Sequence, residues 1–198
     1  DSEGPRLLAE VIGGQKPAHS GTLMYHGVDI THLDTAKRFD MGISYITDDR
    51  INEGCVIDMV LSDNSILQNY YRQPFSRLGV LDFFSIKSFT NDLINKFGIQ
   101  TTGPEAQVRT LSGGNIQKFI LARGLSGTPG LIVCNNPTYG LDAKTVRFIR
   151  KVLTEESQRG TAVLLITTDL DELFGCCHRI GVLFKGEILE KDTAGASA

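Results

Sequence analysis

Strands and helices alternate regularly over the last third of this chain, and the alternation restricts the folds that it can adopt. An apolar run at 131–134 precedes a helical pattern over 142–158, and a second apolar run follows at 162–166. The middle segment repeats its apolar residues at three- and four-residue spacing, as an amphipathic helix does. The continuous apolar run at 162–166 is typical of a strand buried on both faces. This order predicts an α/β fold with a parallel sheet and helices on both of its faces.

Shorter elements are predicted on either side of this pattern from helix caps, glycine turns and strand-like runs. They are a helix ending at Gly13-Gly14, two short strands around His26-Gly27, a helix capped by Asp34 and reaching about Met41, a strand over 42–47, a short helix from Asp169, and a hairpin over 179–189 that turns at Lys185-Gly186.

Residues from about 49 to 109 differ from the rest because they are enriched in aromatic side chains and follow a helical pattern. Apolar residues at helical spacing between Ile86 and Phe97 predict a helix that Ser85 caps and Gly98 ends. A second helix is predicted from near Ser62 to Tyr71. We therefore interpret this segment as a helical insert in the α/β core.

The run Leu-Ser-Gly-Gly-Asn at 111–115 opens a further helix and indicates a specific chemistry. Gly113 and Gly114 let the backbone approach a ligand because they have no Cβ. The Ser112 hydroxyl and the N–H groups of the first helical turn converge where the helix dipole favours an anion. The segment therefore predicts a helix start that binds phosphate.

Four blocks in the chain together resemble one protein family. They are Leu-Ser-Gly-Gly-Asn-Ile-Gln-Lys at 111–118, Asn-Pro-Thr-Tyr-Gly-Leu-Asp at 136–142, Gly-Ile-Ser-Tyr-Ile-Thr-Asp-Asp-Arg at 42–50 and Leu-Leu-Ile-Thr-Thr-Asp-Leu-Asp-Glu at 164–172. Taken in their order along the chain, these blocks resemble the second, C-terminal nucleotide-binding domain of the double-cassette ATP-binding-cassette (ABC) ATPases of bacterial simple-sugar and nucleoside importers. The resemblance covers essentially the whole chain. It implies a P-loop NTPase-like fold, a parallel sheet core with antiparallel β elements and an inserted helical subdomain.

The resemblance also implies a domain organisation. We expect one nucleotide-binding domain over 1–198 that lacks its N-terminal start. The core lobe is expected over 1–48 and 110–192, and the helical subdomain, which would contain the contact with the membrane subunit, over about 49–109. A frayed tail is expected over 193–198.

In this family the signature contacts the γ-phosphate of an ATP that the opposite domain holds. The resemblance therefore implies nucleotide binding in trans by the signature residues Leu111, Ser112, Gly113, Gly114 and Asn115. It also implies that an interface turn, Gly140-Leu141-Asp142, lies against the partner's phosphate loop.

The ATP site that this domain would use for itself departs from the family pattern. Gly4 matches a glycine of the phosphate loop, but Pro5 stands at the lysine position and Arg6 at the Ser/Thr position. Asn135 and Asn136 stand where two acids would order magnesium and polarise the attacking water. An amide cannot accept a proton at pH 7, so a general base worth about 10²–10⁴ in rate is missing.

Two further positions belong to the same site. Thr168 occupies the position of the switch histidine, and Asp48 that of a glutamine that contacts magnesium and water, although a carboxylate is common there in second domains. We predict that this site is degenerate, that the chain has no catalytic residue in cis and no metal site, and that the isolated chain is inactive and binds no cofactor tightly.

Composition excludes several other classes of protein. A net charge of −3 gives no electrostatic case for nucleic acid. No apolar run approaches the roughly 18 residues that a membrane span needs. Chromosome-maintenance ATPases share the signature but require long heptad repeats between their lobes, and this chain has none.

Two hypotheses follow. In the first, the chain is part of the ATP-binding subunit of an importer for simple sugars or nucleosides, at the cytoplasmic side of the membrane. It presents its signature to the first ABC domain of the same transporter, couples to transmembrane permease subunits and indirectly serves a substrate-binding protein, with ATP and Mg²⁺ bound in the intact complex. In the alternative, it is a non-catalytic interaction or regulatory module with a vestigial signature.

Overall fold

The computed structural model describes residues 3–192, and the tail expected over 193–198 lies outside the described residues. The helices are α1 Glu3–Gly13, α2 Thr35–Asp40, α3 Leu61–Ser65, α4 Phe83–Phe97, α5 Gly113–Leu125, α6 Ala143–Gln158 and α7 Leu170–Cys176. The strands are β1 Met24–Tyr25, β2 Val28–Asp29, β3 Ile43–Ile46, β4 Ser76–Arg77, β5 Val80–Leu81, β6 Leu131–Asn135, β7 Ala162–Ile166, β8 Arg179–Phe184 and β9 Glu187–Asp192. No helix in this part of the chain is both long and apolar enough to cross a membrane.

These elements form two compact units. The first unit comprises the described residues of 3–45, 130–136 and 150–192, and the second comprises 46–129 and 137–149. Helix α5, which follows the signature, belongs to the second unit together with the helices of the predicted insert.

A three-stranded sheet of order β3-β6-β7 forms the centre of the fold. Strands β6 and β7 are parallel, with Leu131 opposite Ala162 and Asn135 opposite Ile166. The predicted parallel arrangement is therefore confirmed. The burial expected for β7 is wrong, since its residues are exposed or half-buried. In the described residues β7 lies at the end of the sheet, and the buried central strand is β6.

The apolar core of the first unit joins helix α1 to the sheet. Ala9, Ile30, Ile43 and Val133 are buried in one cluster, around which partly buried apolar side chains pack. Helix α1 contributes Ala9 from its inner face, and β6 contributes Val133. Burial of this apolar surface is the main contribution to the stability of the unit.

A buried arginine connects the end of α1 to the loop between β2 and α2. Arg38 is 1% exposed. Its guanidinium donates hydrogen bonds of 2.5 to 3.1 Å to the backbone carbonyl oxygens of Leu33, Val11, Ile12, Ile30 and Thr31. Two of these carbonyls, those of Val11 and Ile12, lie in the last turn of α1, and Val11 also accepts the N–H of Gly14 at 3.2 Å. The sequence pattern did not indicate this role.

Two predictions for the second unit are wrong at the level of single elements. Helix α4 is capped by Asp82, whose carboxylate accepts the N–H groups of Phe84 and Ser85, so Ser85 does not cap it. The helix predicted from Ser62 to Tyr71 is only α3, Leu61–Ser65. Ile66 turns into a buried cluster with Phe75 and Ile86, and this takes the chain out of the helix.

The remaining predicted elements are confirmed. Asp34 caps α2, Asp169 caps α7, and Gly98 ends α4 with φ at 58°. The β8–β9 hairpin turns at Lys185 and Gly186, whose φ angles of 51° and 84° match a tight two-residue turn.

Candidate functional site

The start of α5 lacks the usual serine cap. Ser112 occupies the N-cap position with extended backbone, but its side chain makes no capping hydrogen bond. Its Oγ instead accepts a hydrogen bond of 2.9 Å from Nδ2 of Asn115, whose Oδ1 accepts the N–H of Gln100 at 2.9 Å. The Ser112 hydroxyl therefore keeps its proton available for donation, and it does not occupy the N–H groups of the first turn. Both Ser112 and Gly113 are exposed, whereas Leu111 is buried beneath them.

The two signature glycines lie in close contact with other side chains of the chain. A Cβ on Gly114 would lie 2.9 Å from Oγ1 of Thr145, in the first turn of α6. A Cβ on Gly113 would lie 3.1 Å from Nη1 of Arg50. Gly113 and Gly114 therefore lie close to an arginine and to α6, in addition to the ligand approach that the sequence predicts.

The predicted interface turn lies beside the signature in the second unit. Gly140 is exposed, with φ at 67°. The carboxylate of Asp142 accepts the N–H groups of Lys144 and Thr145 at 3.0 Å and the hydroxyl of Thr145 at 2.7 Å. The Thr145 hydroxyl is the main cause of the lowered pKa of Asp142, followed by the backbone N–H of Thr145. Oδ2 of Asp142 would lie 3.5 Å from a Cβ on Gly114, so the signature and the turn are brought together.

Arg50 lies at the same surface, although no sequence pattern predicts a role for it. Its Nη2 donates a short hydrogen bond to the backbone carbonyl of Tyr139, and this nitrogen would lie 3.8 Å from a Cβ on Gly140. The only sequence signal for this residue was its place at the end of the block 42–50. That block is 61 residues or more from the signature in the chain, so its contact with Gly113 could not be read from spacing.

The residues at the predicted phosphate-loop positions form the first turn of α1. Helix α1, Glu3–Gly13, includes all three of them: Gly4, Pro5 and Arg6. Nε of Arg6 donates to Oε1 of Glu10 at 2.9 Å, one helical turn along. The side chain at the Ser/Thr position is thus a cation already engaged with a carboxylate, and it offers no oxygen to a metal ion.

Asn135, Asn136 and Thr168 are brought together at the carboxyl end of β6. Asn135 is buried, and Asn136 has a positive φ of 42°. The N–H of Asn136 donates to the carbonyl of Ile166 at 2.7 Å, and its Oδ1 accepts the N–H of Thr168 at 3.4 Å. Its Nδ2 donates to Oδ1 of Asn135 at 3.4 Å. The two amides therefore connect the end of β6 to the loop after β7.

These donors do not fit a magnesium ion in cis. Magnesium prefers carboxylate, hydroxyl and phosphate oxygens, and the neutral amides at 135 and 136 already bond to each other and to backbone. Asp48, the remaining predicted residue, lies in the second unit. Among residues 3–192 no group of three or more His, Cys, Asp or Glu side chains is placed to hold a metal ion. All four cysteines are free thiols.

No family model matches the chain. In sequence it is 36% identical over 189 residues to the guanosine import ATP-binding protein NupO of Bacillus subtilis, covering 96% of this chain and 37% of that protein. It is 35% identical to the nucleoside import ATP-binding protein NupA of Lactococcus lactis, with 95% and 37% covered. The chain thus spans little more than a third of the length of these relatives.

Solved structures share the fold. The dimeric ATP-binding cassette MJ0796, in a post-hydrolysis state bound to ADP and phosphate, superposes with a TM-score of 0.78 at 19% identity, covering 94% of this chain and 79% of that one. A nucleotide-free ATP-binding cassette from an ABC transporter gives a TM-score of 0.74 at 20% identity, with 96% and 76% covered. The predicted ABC cassette fold, a parallel sheet core with antiparallel strands and helices, is confirmed.

Proposed function

Because this chain is a nucleotide-binding domain of the ABC ATPases, related to those of sugar and nucleoside importers, we propose that it is the second, C-terminal cassette of such a transporter. The relatives named for guanosine and nucleoside import support nucleosides or simple sugars as the transported substrates. In this proposal the domain works at the cytoplasmic side of the membrane. Its partners are the first cassette, transmembrane permease subunits and, indirectly, a substrate-binding protein.

One observation carries the proposal. The signature helix α5 has an exposed start without a side-chain cap, whereas the ATP site that this domain would use for itself has amides at 135 and 136 in place of two acids. At the signature, the Ser112 hydroxyl and the N–H groups of Gly113 and Gly114 would donate to the γ-phosphate of an ATP that the partner cassette holds. Helix α5 favours the negative charge at its N-terminus. The ATP and Mg²⁺ supply the phosphoryl chemistry, and this chain binds and orients the phosphate.

The chain's own site would contribute no hydrolysis. Asn136 stands where a carboxylate would accept the proton of the attacking water, and its amide oxygen instead accepts the N–H of Thr168. Asn135 replaces the acid that would order magnesium, and Arg6 replaces the hydroxyl. We infer a degenerate cis site and an isolated chain that neither binds ATP tightly nor hydrolyses it. The predicted layout, a core over 1–48 and 110–192 and a subdomain over about 49–109 with the membrane-subunit contact, belongs to this proposal.

The alternative is a non-catalytic interaction or regulatory module in which the signature is vestigial. The geometry of Ser112 favours the first reading. Its hydroxyl is not used as a helix cap, and Asn115 holds its oxygen in place from the other side. A serine kept only for helix stability would be expected to accept an N–H of the first turn.

Calorimetry with Mg·ATP tests both parts of the proposal. We expect no measurable binding of Mg·ATP to this chain alone at millimolar nucleotide. With the first cassette added, ATP should bind more tightly than to that cassette alone, and Ser112→Arg in this chain should remove the gain. Micromolar binding to this chain alone would contradict the degenerate site. A mixture that binds no better than the first cassette alone would favour the non-catalytic alternative.

A further inference from the structure

Arg50 reaches the signature from a different part of the second unit. It follows β3 and begins a π-helical turn over Arg50–Gly54, whose N-cap is Asp49. The carboxylate of Asp49 accepts the N–H of Asn52 at 3.0 Å, and this fixes the turn from which the Arg50 side chain extends. The guanidinium ends between the signature glycine Gly113 and the carbonyl of Tyr139.

The guanidinium is incompletely hydrogen-bonded at this position. Arginine has five N–H donors. Within residues 3–192 Arg50 donates to the carbonyl of Tyr139, while its Nε is buried and has no hydrogen-bond partner. Unused donors on a partly buried cation cost free energy until water or an anion accepts their hydrogen bonds.

The position of Arg50 beside the signature helix suits an anionic ligand. Its Nη1 would lie 3.1 Å from a Cβ on Gly113, so it stands beside the positive end of the α5 dipole. The nearby carboxylate of Asp142 is occupied by the first turn of α6 through Lys144 and Thr145. The exposed hydroxyl of Ser112 lies on the same helix start.

We propose that Arg50 is a phosphate-binding residue of the trans site: its guanidinium donates to the γ-phosphate that the signature receives. This inference rests on the proposed function and adds a charged residue to it. Guanidinium and phosphate form strong, charge-assisted hydrogen bonds, and the planar fork of arginine matches phosphate oxygens. The bond from Nη2 to Tyr139 holds the fork in position and links it to the interface turn.

The test is the steady-state ATPase activity of the two-cassette protein that contains this chain, with Arg50→Ala and Arg50→Lys. We expect Arg50→Ala to raise the KM for ATP at least about tenfold, because a charged hydrogen bond to the phosphate is lost. Inhibition by ADP, which has no γ-phosphate, should change less than about twofold. Arg50→Lys should recover part of the loss in KM because it keeps the charge without the fork.

Arg109→Ala is the matched control. Arg109 lies in the same unit, two residues before the signature begins, but its guanidinium is 3.4 Å from the exposed carboxylate of Asp58. The Arg109→Ala substitution removes the same charge close to the signature without changing the proposed phosphate position. We expect its KM to stay within about twofold of the wild type, as an exposed ion pair contributes little.

Several results would overturn the inference. A KM for Arg50→Ala within twofold of the wild type would exclude a phosphate contact. Equal weakening of ATP and ADP with no recovery in Arg50→Lys would show that Arg50 only connects the turn to the signature. If thermal unfolding shows that Arg50→Ala is not folded, the KM of Arg50→Lys for ATP tests the phosphate contact instead. A KM equal to that of the wild type would refute the contact. Retained activity in Ser112→Arg would instead refute the proposed function itself.

Discussion

Ser112→Arg should abolish the ATPase activity of the two-cassette protein, with kcat falling about 10²-fold or more. Three effects add up at this position. The hydroxyl donor is lost, a cation is placed at the positive end of the α5 dipole, and a long side chain fills a surface that is exposed in this chain. Because Ser112 does not cap α5, the fold should tolerate the change. The measurement is phosphate release at saturating Mg·ATP.

Ser88→Arg provides the matched control for this change. Ser88 is exposed on α4, in the same unit as the signature. The same substitution there adds the same charge and length far from a helix start, and we expect kcat to stay within about twofold, as surface changes of this kind have small effects. Turnover that survives in Ser112→Arg would support the non-catalytic alternative and end the trans-site proposal.

Arg38→Met should lower the free energy of unfolding of the first unit by about 3–5 kcal/mol, the range for removing one member of a buried, hydrogen-bonded set. Five backbone carbonyls now accept from this guanidinium, and methionine would fill its volume without donating to any of them. In the last turn of α1, Val11 and Ile12 would each lose a hydrogen bond from the guanidinium, and Val11 would keep that from the N–H of Gly14. Urea denaturation followed by circular dichroism and tyrosine fluorescence measures the loss.

Two further variants make this result specific. Arg38→Lys should recover little, because one ammonium has three donors and cannot reach five carbonyls divided between the loop after β2 and the end of α1. Arg147→Met, at an exposed position on α6 within the second unit, should change the free energy of unfolding of the first unit by less than about 0.5 kcal/mol. A loss below about 1 kcal/mol for Arg38→Met would show that water replaces the guanidinium at these carbonyls.

Most elements of the fold could be predicted because their signals are local. The caps at Asp34 and Asp169 and the glycine at 98 act on residues within one helical turn. The alternation of strand and helix after residue 131 likewise lies within one continuous segment. One error arose where a tertiary contact changed the local outcome, at Ile66, whose burial ends α3 early. Another was itself local, since Asp82, only three residues before Ser85, caps α4.

The candidate site likewise has residues that the sequence alone identifies and contacts that only the tertiary structure shows. The chain itself determined the signature, the amide substitutions at 135 and 136 and the threonine at 168, since residue type at a motif position is enough to name the chemistry that is present or missing. Tertiary structure alone decided that Arg50 reaches Gly113, that Gly114 makes room for Thr145, and that Arg38 bonds five carbonyls. Each of these contacts joins segments far apart in the chain or fixes a side chain's direction. Such contacts depend on how elements pack, and packing is set by the shape of the whole core rather than by any short pattern.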